Sequence, residues 1–231
     1  MSEFTEMQEQ TKEQTSKEMD PIRILGRNPI TRKQYVLFEN DRQYHIFTTR
    51  YTTATWLENQ TFCRKYKYPC AYFAPFPIPK KVPDKASFFA LEMNNDTNQI
   101  IGIGLTSNEP KQRKYTVYEN PYYNRFAYLG KSRVSRESVF DNIPLDELEN
   151  ETDIQEIRDI RYFWENLEYF CFKGKGHLKR GQGLTSFPVA TLLNVQPHVD
   201  IIQQLITLFK KKKEREKKHN ITSPYSNIPE S

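Results

Sequence analysis

The segment from Ser87 to Leu105, SFFALEMNNDTNQIIGIGL, constrains the fold more than any other part of the chain. Two apolar runs, 87–93 and 99–105, flank a stretch of Asn, Asp and Thr whose side chains favour turn conformations, so we predict a β-hairpin. Gly102 and Gly104 lie two apart on its second strand and leave one face without side chains. We expect a helix or an aromatic ring to pack closely there, with a bound ligand as the alternative.

The chain has 231 residues, which suits one domain between charged ends. Residues 1–20 are acidic and have little to bury, so we predict a disordered tail there. We place a single globular domain at 21–209 and a basic disordered tail at 210–231. The predicted fold class is α+β, with a twisted, mainly antiparallel sheet or a small β-barrel and peripheral helices.

The part of the chain before the hairpin predicts a second hairpin and a helix. Residues 34–39 and 43–48 alternate polar with apolar side chains around an Asn-Asp pair, which is a turn signal. Thr52 or Thr53 then suits the N-cap of a helix that reaches about Lys65.

The prolines of 76–83 predict an extended loop or an edge strand, because proline offers no N–H to a β-ladder. The chain after the hairpin contains an acidic helix, predicted at 145–168, whose apolar residues recur on one side. Its outer face is strongly negative, and we expect a protein partner there. A final helix is predicted to begin near Pro197. Short strands are expected at 114–118, 125–129, 131–135 and 169–172.

The net charge of +5 fits an anionic partner, and the positive charge gathers at 131–136, 173–180 and 210–218. Three cysteines are too few and odd in number for a disulfide framework, and the first residues lack the apolar stretch of a signal peptide. We therefore expect an intracellular protein, in the cytoplasm or the nucleus. The apolar runs are only a few residues long, so no transmembrane segment is predicted.

The segment 117–136, VYENPYYNRFAYLGKSRVSR, interleaves aromatic with basic residues. Aromatic faces stack on unpaired bases, and Arg and Lys neutralise phosphates, so the segment indicates binding of RNA or DNA. The alternative is that the aromatic residues fill the core of a tyrosine-rich sheet. The predicted stacking residues are Tyr118, Tyr122, Tyr123 and Phe126, and the predicted phosphate partners in this segment are Arg125, Lys131, Arg133 and Arg136.

The segment 174–183, GKGHLKRGQG, combines four glycines with Lys175, Lys179 and Arg180. Glycines let backbone N–H groups converge on an anion, so a phosphate could bind there, although the spacing is not that of a Walker motif. A surface loop without function is the alternative. Binding of nucleic acid through all these cations predicts that affinity falls steeply with salt.

The sequence disfavours an enzyme, and we predict no catalytic residue, no metal site and no cofactor. The four histidines form no HExxH pattern, no Cys or His spacing matches a zinc site, and GxSxG is absent. Cys171 and His177 lack a third partner for a thiol nucleophile. Asp84 and Glu92 could bind a metal as nuclease carboxylates do, but no nearby lysine completes that pattern.

Residues 87–105 resemble the strand pair of PUA-like domains of the EVE and ASCH kind, in which a strand and a turn precede an "IvGig" strand. This resemblance implies a small twisted β-barrel with peripheral helices. It also implies binding of RNA or a modified base in an aromatic-lined cleft, for which the segment 118–128 would form a wall.

The same hairpin is similar to the central strands of GNAT acetyltransferases, and Gly181-Gln182-Gly183 supplies their G-x-G pattern. That similarity implies an acetyltransferase as the alternative function. The overall composition, rich in Tyr, Asn and Lys with charged ends, resembles that of proteins of large cytoplasmic DNA viruses. It implies a third possibility, a structural or scaffold protein of a complex or virion, located in the virion or the host cell.

Overall fold

The computed structural model describes residues 29–140, 151–173 and 176–222. These residues divide into two compact units, one made of 29–41 with 188–201 and the other of 42–187 with 202–222. The predicted tail 1–20 lies outside the described residues, so the tail and the predicted domain extent of 21–209 stay predictions.

A mixed sheet of five strands dominates the larger unit, in the order β6 (Ser132–Ser135), β4 (Gln99–Ser107), β3 (Ser87–Asn94), β1 (Tyr44–Tyr51) and β7 (Thr185–Ser186). β1 and β3 pair in parallel, whereas the other neighbouring strands are antiparallel. The α+β class and the mainly antiparallel sheet are therefore confirmed, but the described strands form no closed barrel.

The central hairpin is confirmed as β3 and β4, and its glycines are explained by close packing. A Cβ atom at Gly104 would overlap the hydroxyl of Tyr72, and one at Gly102 would overlap the side chains of Arg133 and Glu92. An aromatic ring therefore packs against the bare face of β4, as expected.

Tyr72 belongs to a second, two-stranded antiparallel sheet of β2 (Ala71–Ala74) and β5 (Phe126–Leu129). Tyr72 and Tyr128 are fully buried together with Phe47 and Phe88, so aromatic residues of this sheet do fill a core. The loop 75–86 follows β2 as predicted, and the N–H of Ile78 donates a 2.9 Å hydrogen bond to the Tyr128 hydroxyl.

The predicted hairpin over 34–39 and 43–48 is wrong, because its first half is the helix α1 (Arg32–Asp41). Thr31 and Gln34 form reciprocal hydrogen bonds that stabilise the start of this helix, with the Thr31 N–H donating to Gln34 Oε1 at 3.0 Å. β1 pairs with β3 and β7, so it needs no hairpin partner.

The helix predicted after Thr52 is confirmed as α2 (Thr53–Tyr66). Thr52 is its N-cap, and the Thr52 and Thr55 side chains form a capping box. Lys67 is the C-cap of the helix and adopts a left-handed conformation with φ of 57°.

The rest of the described chain contains four more helices: α3 (Glu137–Phe140), α4 (Glu151–Phe172), α5 (Val189–Val195) and α6 (Ile201–Thr222). The strand predicted at 169–172 is wrong, since Cys171 and Phe172 continue the buried face of α4. No strand forms at 114–118, whereas β5 and β6 confirm the predictions at 125–129 and 131–135. The predicted basic tail begins inside α6, so the run 210–218 is helical. Within the described residues, no helix is both long and apolar enough to cross a membrane.

Candidate functional site

A cleft of about 420 Å³ opens where β1 ends and α2 begins. The 3₁₀ turn Pro121–Asn124 and the glycine-rich loop 176–183 supply its other sides. Its lining residues, which define the cleft hereafter, are Thr49–Thr52, Ala54, Thr55, Glu58, Phe73, Asn95, Tyr118–Asn120, Tyr123 and Gly181–Gly183.

Aromatic rings give the cleft its apolar surface. The ring of Phe73 stands edge-on to that of Tyr118, with 5.8 Å between their centroids. Tyr118 is buried, and its hydroxyl accepts a 3.0 Å hydrogen bond from the Asn59 side chain, which also bonds the carbonyl of Ala71. Tyr123 is half-buried and packs against the same group of apolar residues. These contacts hold the rings of the cleft in place.

Two buried polar atoms of the cleft residues have no hydrogen-bond partner of good geometry among the described residues. One is the hydroxyl of Tyr51, a residue only 4% exposed, although Thr49 and Tyr118 lie near it. The other is Oδ1 of Asn95. Burial raises the pKa of Tyr51 well above its ordinary value, so the hydroxyl stays protonated. Both atoms belong to residues that line the cleft but are themselves buried, so a ligand would reach them only after a side-chain shift.

The glycine-rich loop packs tightly against the strands. Gly181 has φ of 136° and Gly183 has φ of 60°, conformations that favour glycine. A Cβ at Gly183 would lie 2.7 Å from Cδ of Pro75. The guanidinium of Arg50 holds the loop through hydrogen bonds to the Leu178 carbonyl, at 2.6 Å, and to the Thr185 hydroxyl, at 3.0 Å. The glycines therefore permit close packing beside the cleft.

The N-terminus of α2 faces the cleft, but two of its backbone donors are occupied. The N–H of Thr53 donates a 2.7 Å hydrogen bond to Asp96, and the N–H of Thr55 donates to the Thr52 hydroxyl at 3.2 Å. A phosphate would have to displace these partners to use the helix N-terminus. The charged residues that line the cleft, Arg50, Glu58 and Glu119, are of mixed sign.

Tyr118 and Tyr123 from the predicted aromatic segment lie at the cleft together with the end of the predicted glycine-rich loop. Tyr122 is beside Tyr123 and partly exposed, and the Arg125 guanidinium lies 6.0 Å from the centre of the Tyr122 ring. Lys179 and Arg180 directly precede Gly181 in the loop. Lys175 lies outside the described residues.

The other predicted binding residues do not line the cleft. Phe126 packs against the core around Phe47 and Tyr128. Lys131 is exposed in the turn between β5 and β6. The guanidinium of Arg136 stacks 4.0 Å from the centre of the Phe140 ring and lies 3.9 Å from Glu168.

Arg133 forms a buried ion pair with Glu92, a residue of the central strand β3 that is only 1% exposed. Nε of Arg133 donates to Glu92 Oε2 at 2.8 Å, and the Tyr72 hydroxyl donates to the other carboxylate oxygen at 2.8 Å. Burial lowers the pKa of Arg133, but the charge of Glu92, its hydrogen bonds with the guanidinium and the nearby Tyr72 and Cys70 together outweigh burial and raise the pKa above its ordinary value. The positive charge of Arg133 is thus neutralised inside the protein.

No group of three or more His, Cys, Asp or Glu that could hold a metal occurs in the described part of the chain. Burial raises the pKa of the Cys171 thiol, which works against a nucleophilic thiolate at neutral pH. The loop of Gly181–Gly183 leads into β7, and the next helix begins only at Val189, so it does not open a helix as the acetyltransferase loop does.

The predicted partner surface on the acidic helix is partly occupied by α6. Glu156 of α4 lies 3.0 Å from Lys211 and 3.4 Å from Arg215. These ion pairs reduce the exposed negative charge of α4, and a protein partner at 145–168 stays a prediction. Residues 145–150 lie outside the described residues.

Tyr51, Asn95 and Glu58 are among the polar residues of the cleft that sequence reasoning missed. The N-cap signal at Thr52 and the turn signal at 94–98 correctly predicted a helix start and a turn, and both of these segments contribute residues to the cleft. Neither signal indicated that these positions meet at one cavity. Comparison of the chain with family models, with curated proteins and with solved structures found no match in any of the three.

Proposed function

We propose that this protein is a nucleic-acid-binding module that takes an unpaired base of RNA or DNA into the cleft. The observation that carries this proposal is the combination of aromatic rings with two buried polar atoms, Tyr51 Oη and Asn95 Oδ1, that lack partners among the described residues. A nucleobase offers a flat face for stacking and an edge of donors and acceptors that can pair with both atoms once a side-chain shift exposes them.

The size of the cleft agrees with this ligand. Its volume of about 420 Å³ falls within the range of small-molecule sites, which is about 300–1,000 Å³. The lining charges have mixed sign, so stacking and hydrogen bonds would supply most of the affinity. Phosphates would be contacted at the rim by Arg125, Lys179 and Arg180. Arg133 is left out of this set because Glu92 neutralises it.

Three rim contacts predict a weak salt dependence. For single strands the slope of log K against log salt is about −0.7 per phosphate contact, so three contacts give roughly −2, against roughly −5 for the seven cations that the sequence offered. The slope is measured by fluorescence anisotropy with labelled single-stranded RNA, single-stranded DNA and duplex DNA of equal length. Preference for a single strand is the expected result. Absence of binding to every oligonucleotide at low salt would overturn the proposal.

The variant Tyr51→Phe tests the buried hydroxyl directly. Loss of one hydrogen bond of about 0.5–1.5 kcal/mol lowers the affinity for the oligonucleotide about 2- to 12-fold. The free energy of unfolding of the free protein should stay the same or rise, because the variant removes a buried polar atom without a partner. A loss of stability without loss of affinity would show that the hydroxyl serves the fold and not the ligand.

Two further variants test the walls of the cleft and its rim. Tyr123→Ala removes a stacking face and should lower affinity about 5- to 150-fold, since a stacked base contributes about 1–3 kcal/mol. Tyr66→Ala is the matched control, because Tyr66 is also a partly exposed tyrosine but does not line the cleft.

Replacement of Lys179 and Arg180 by Glu should weaken binding through charge repulsion, and unchanged affinity would exclude both as phosphate partners.

A further inference from the structure

Three aromatic side chains lead from the cleft to the surface, and we call Tyr123, Tyr122 and Phe76 the aromatic strip. Tyr123 lines the cleft. The ring centroids of Tyr123 and Tyr122 are 5.7 Å apart, and those of Tyr122 and Phe76 are also 5.7 Å apart. Exposure rises along the strip, from half-buried Tyr123 to 36% for Tyr122 and 57% for Phe76. The strip is thus a continuous path from the interior of the cleft to solvent.

The backbone holds Phe76 outward on a constrained loop. Pro75 and Pro77 flank it and fix their own φ angles. Ala74 before them is the last residue of β2, and Ile78 after them is buried and bonded to Tyr128. Phe76 therefore contributes little to the core, yet its backbone is anchored on both sides. An exposed aromatic residue on an ordered loop loses little entropy when a ligand binds it.

The rings of the strip stand edge-on to one another, with interplanar angles of 83° and 88°. Neighbouring rings therefore turn their faces in different directions, and parallel stacked bases cannot cover all three. Splayed bases of an unpaired strand can each contact one ring, as is common in recognition of single strands. The Arg125 guanidinium lies over the Tyr122 ring and has no ion-pair partner among the described residues, so it can contact a phosphate between such bases.

We propose that Phe76 and Tyr122 bind the bases next to the one in the cleft, so that the ligand is an unpaired strand of three or more nucleotides and not a free nucleotide. This inference rests on the proposed function and specifies its substrate class. Phe76 is the residue that distinguishes the two ligands, because it lies at the outer end of the strip, beyond the cleft lining.

A length series of competitors tests this inference. A nucleoside monophosphate, a dinucleotide, a trinucleotide and a hexanucleotide compete with a labelled oligonucleotide, and affinity is expected to rise through the trinucleotide. Phe76→Ala should lower the affinity for the trinucleotide about 5- to 150-fold and leave that for the monophosphate unchanged. Phe76→Trp should retain the affinity. Leu57→Ala is the matched control, since Leu57 is 55% exposed and does not line the cleft.

The possible outcomes separate this inference from the proposed function. If the monophosphate and the trinucleotide bind with equal affinity, and Phe76→Ala changes neither affinity, the aromatic strip does not bind the ligand. The proposed binding of a base in the cleft would then still stand. Loss of both ligands in Tyr123→Ala, with loss of the trinucleotide alone in Phe76→Ala, would support both proposals. If no competitor and no labelled oligonucleotide binds at low salt, both proposals are refuted.

Discussion

The variant Arg133→Met should destabilise the protein strongly, although sequence reasoning assigned Arg133 to the binding surface. Methionine is similar in length and apolar, so it can fill the space but cannot neutralise Glu92, which is 1% exposed. It also loses the 2.9 Å hydrogen bond from the guanidinium to the Ile101 carbonyl. Removing one member of a buried ion pair costs about 3–5 kcal/mol, because the remaining charge stays buried without a partner.

Urea unfolding followed by circular dichroism measures this loss as a change in the free energy of unfolding. Small domains are stable by about 5–15 kcal/mol, so a loss of this size would leave the variant marginal. The double variant Glu92→Gln with Arg133→Met should recover part of the loss, since no buried charge remains. A loss below about 1 kcal/mol in the single variant would refute the reasoning, because that value is typical of an exposed ion pair.

Oligonucleotide binding by the same variant separates the structural role from a phosphate contact. At a temperature where Arg133→Met stays folded, the slope of log K against log salt should equal that of the unaltered protein. A slope smaller in magnitude by about 0.7 would instead mean that Arg133 contacts a phosphate of the strand.

Three further changes test other parts of the structure. Gly104→Ala places a methyl group against the Tyr72 hydroxyl and should lower the free energy of unfolding by about 1–3 kcal/mol in urea titrations. Tyr72→Phe in the same chain should relieve only part of the overlap, because Sγ of Cys70 and Cζ of residue 72 still lie 2.7 and 2.8 Å from the added Cβ. An unaltered midpoint in Gly104→Ala would contradict this packing. Burial raises the pKa of Glu168 above its ordinary 4.5, so the folded state binds the proton more tightly than the unfolded state. Stability relative to Glu168→Gln should therefore fall as the pH rises through 4.5 and level off above the raised pKa, and a flat difference in thermal melts would refute the shift. Burial also raises the pKa of Cys63 to about 12 and that of the other two cysteines further. Thiol titration with Ellman's reagent should be much slower in the native protein than in urea, and a fast native thiol would contradict this burial.

Local signals in the sequence predicted several elements correctly. The turn residues at 94–98 placed the hairpin of β3 and β4, and Thr52 marked the start of α2. The prolines of 76–83 placed a loop, and the glycines of β4 indicated close packing. These features depend on residues a few positions apart, because turns, caps and missing N–H donors act within a few residues.

The long-range contacts could be read only from the tertiary structure. Residues 34–39 alternate polar and apolar side chains as a strand would, yet they belong to the helix α1. The strand β1 pairs in parallel with β3, about forty residues further along the chain, and not with this segment. Glu92 and Arg133 are also about forty residues apart in the sequence. The sequence neighbours of Arg133 favoured a phosphate contact, and only the structure shows its ion pair with Glu92.

The candidate site, like the fold, was predicted from the sequence only in its local features. Composition and motif spacing indicated an aromatic and basic segment and a glycine-rich loop, and the structure places parts of both at one cleft. Strand register, and the element that packs against each face of a strand, decide which aromatic residues line the cleft and which are buried in the core. The sequence by itself therefore determined the residue types available for binding, whereas the tertiary structure decided which of them meet. Proximity between distant segments arises from competition among many possible pairings, and no local pattern encodes its outcome.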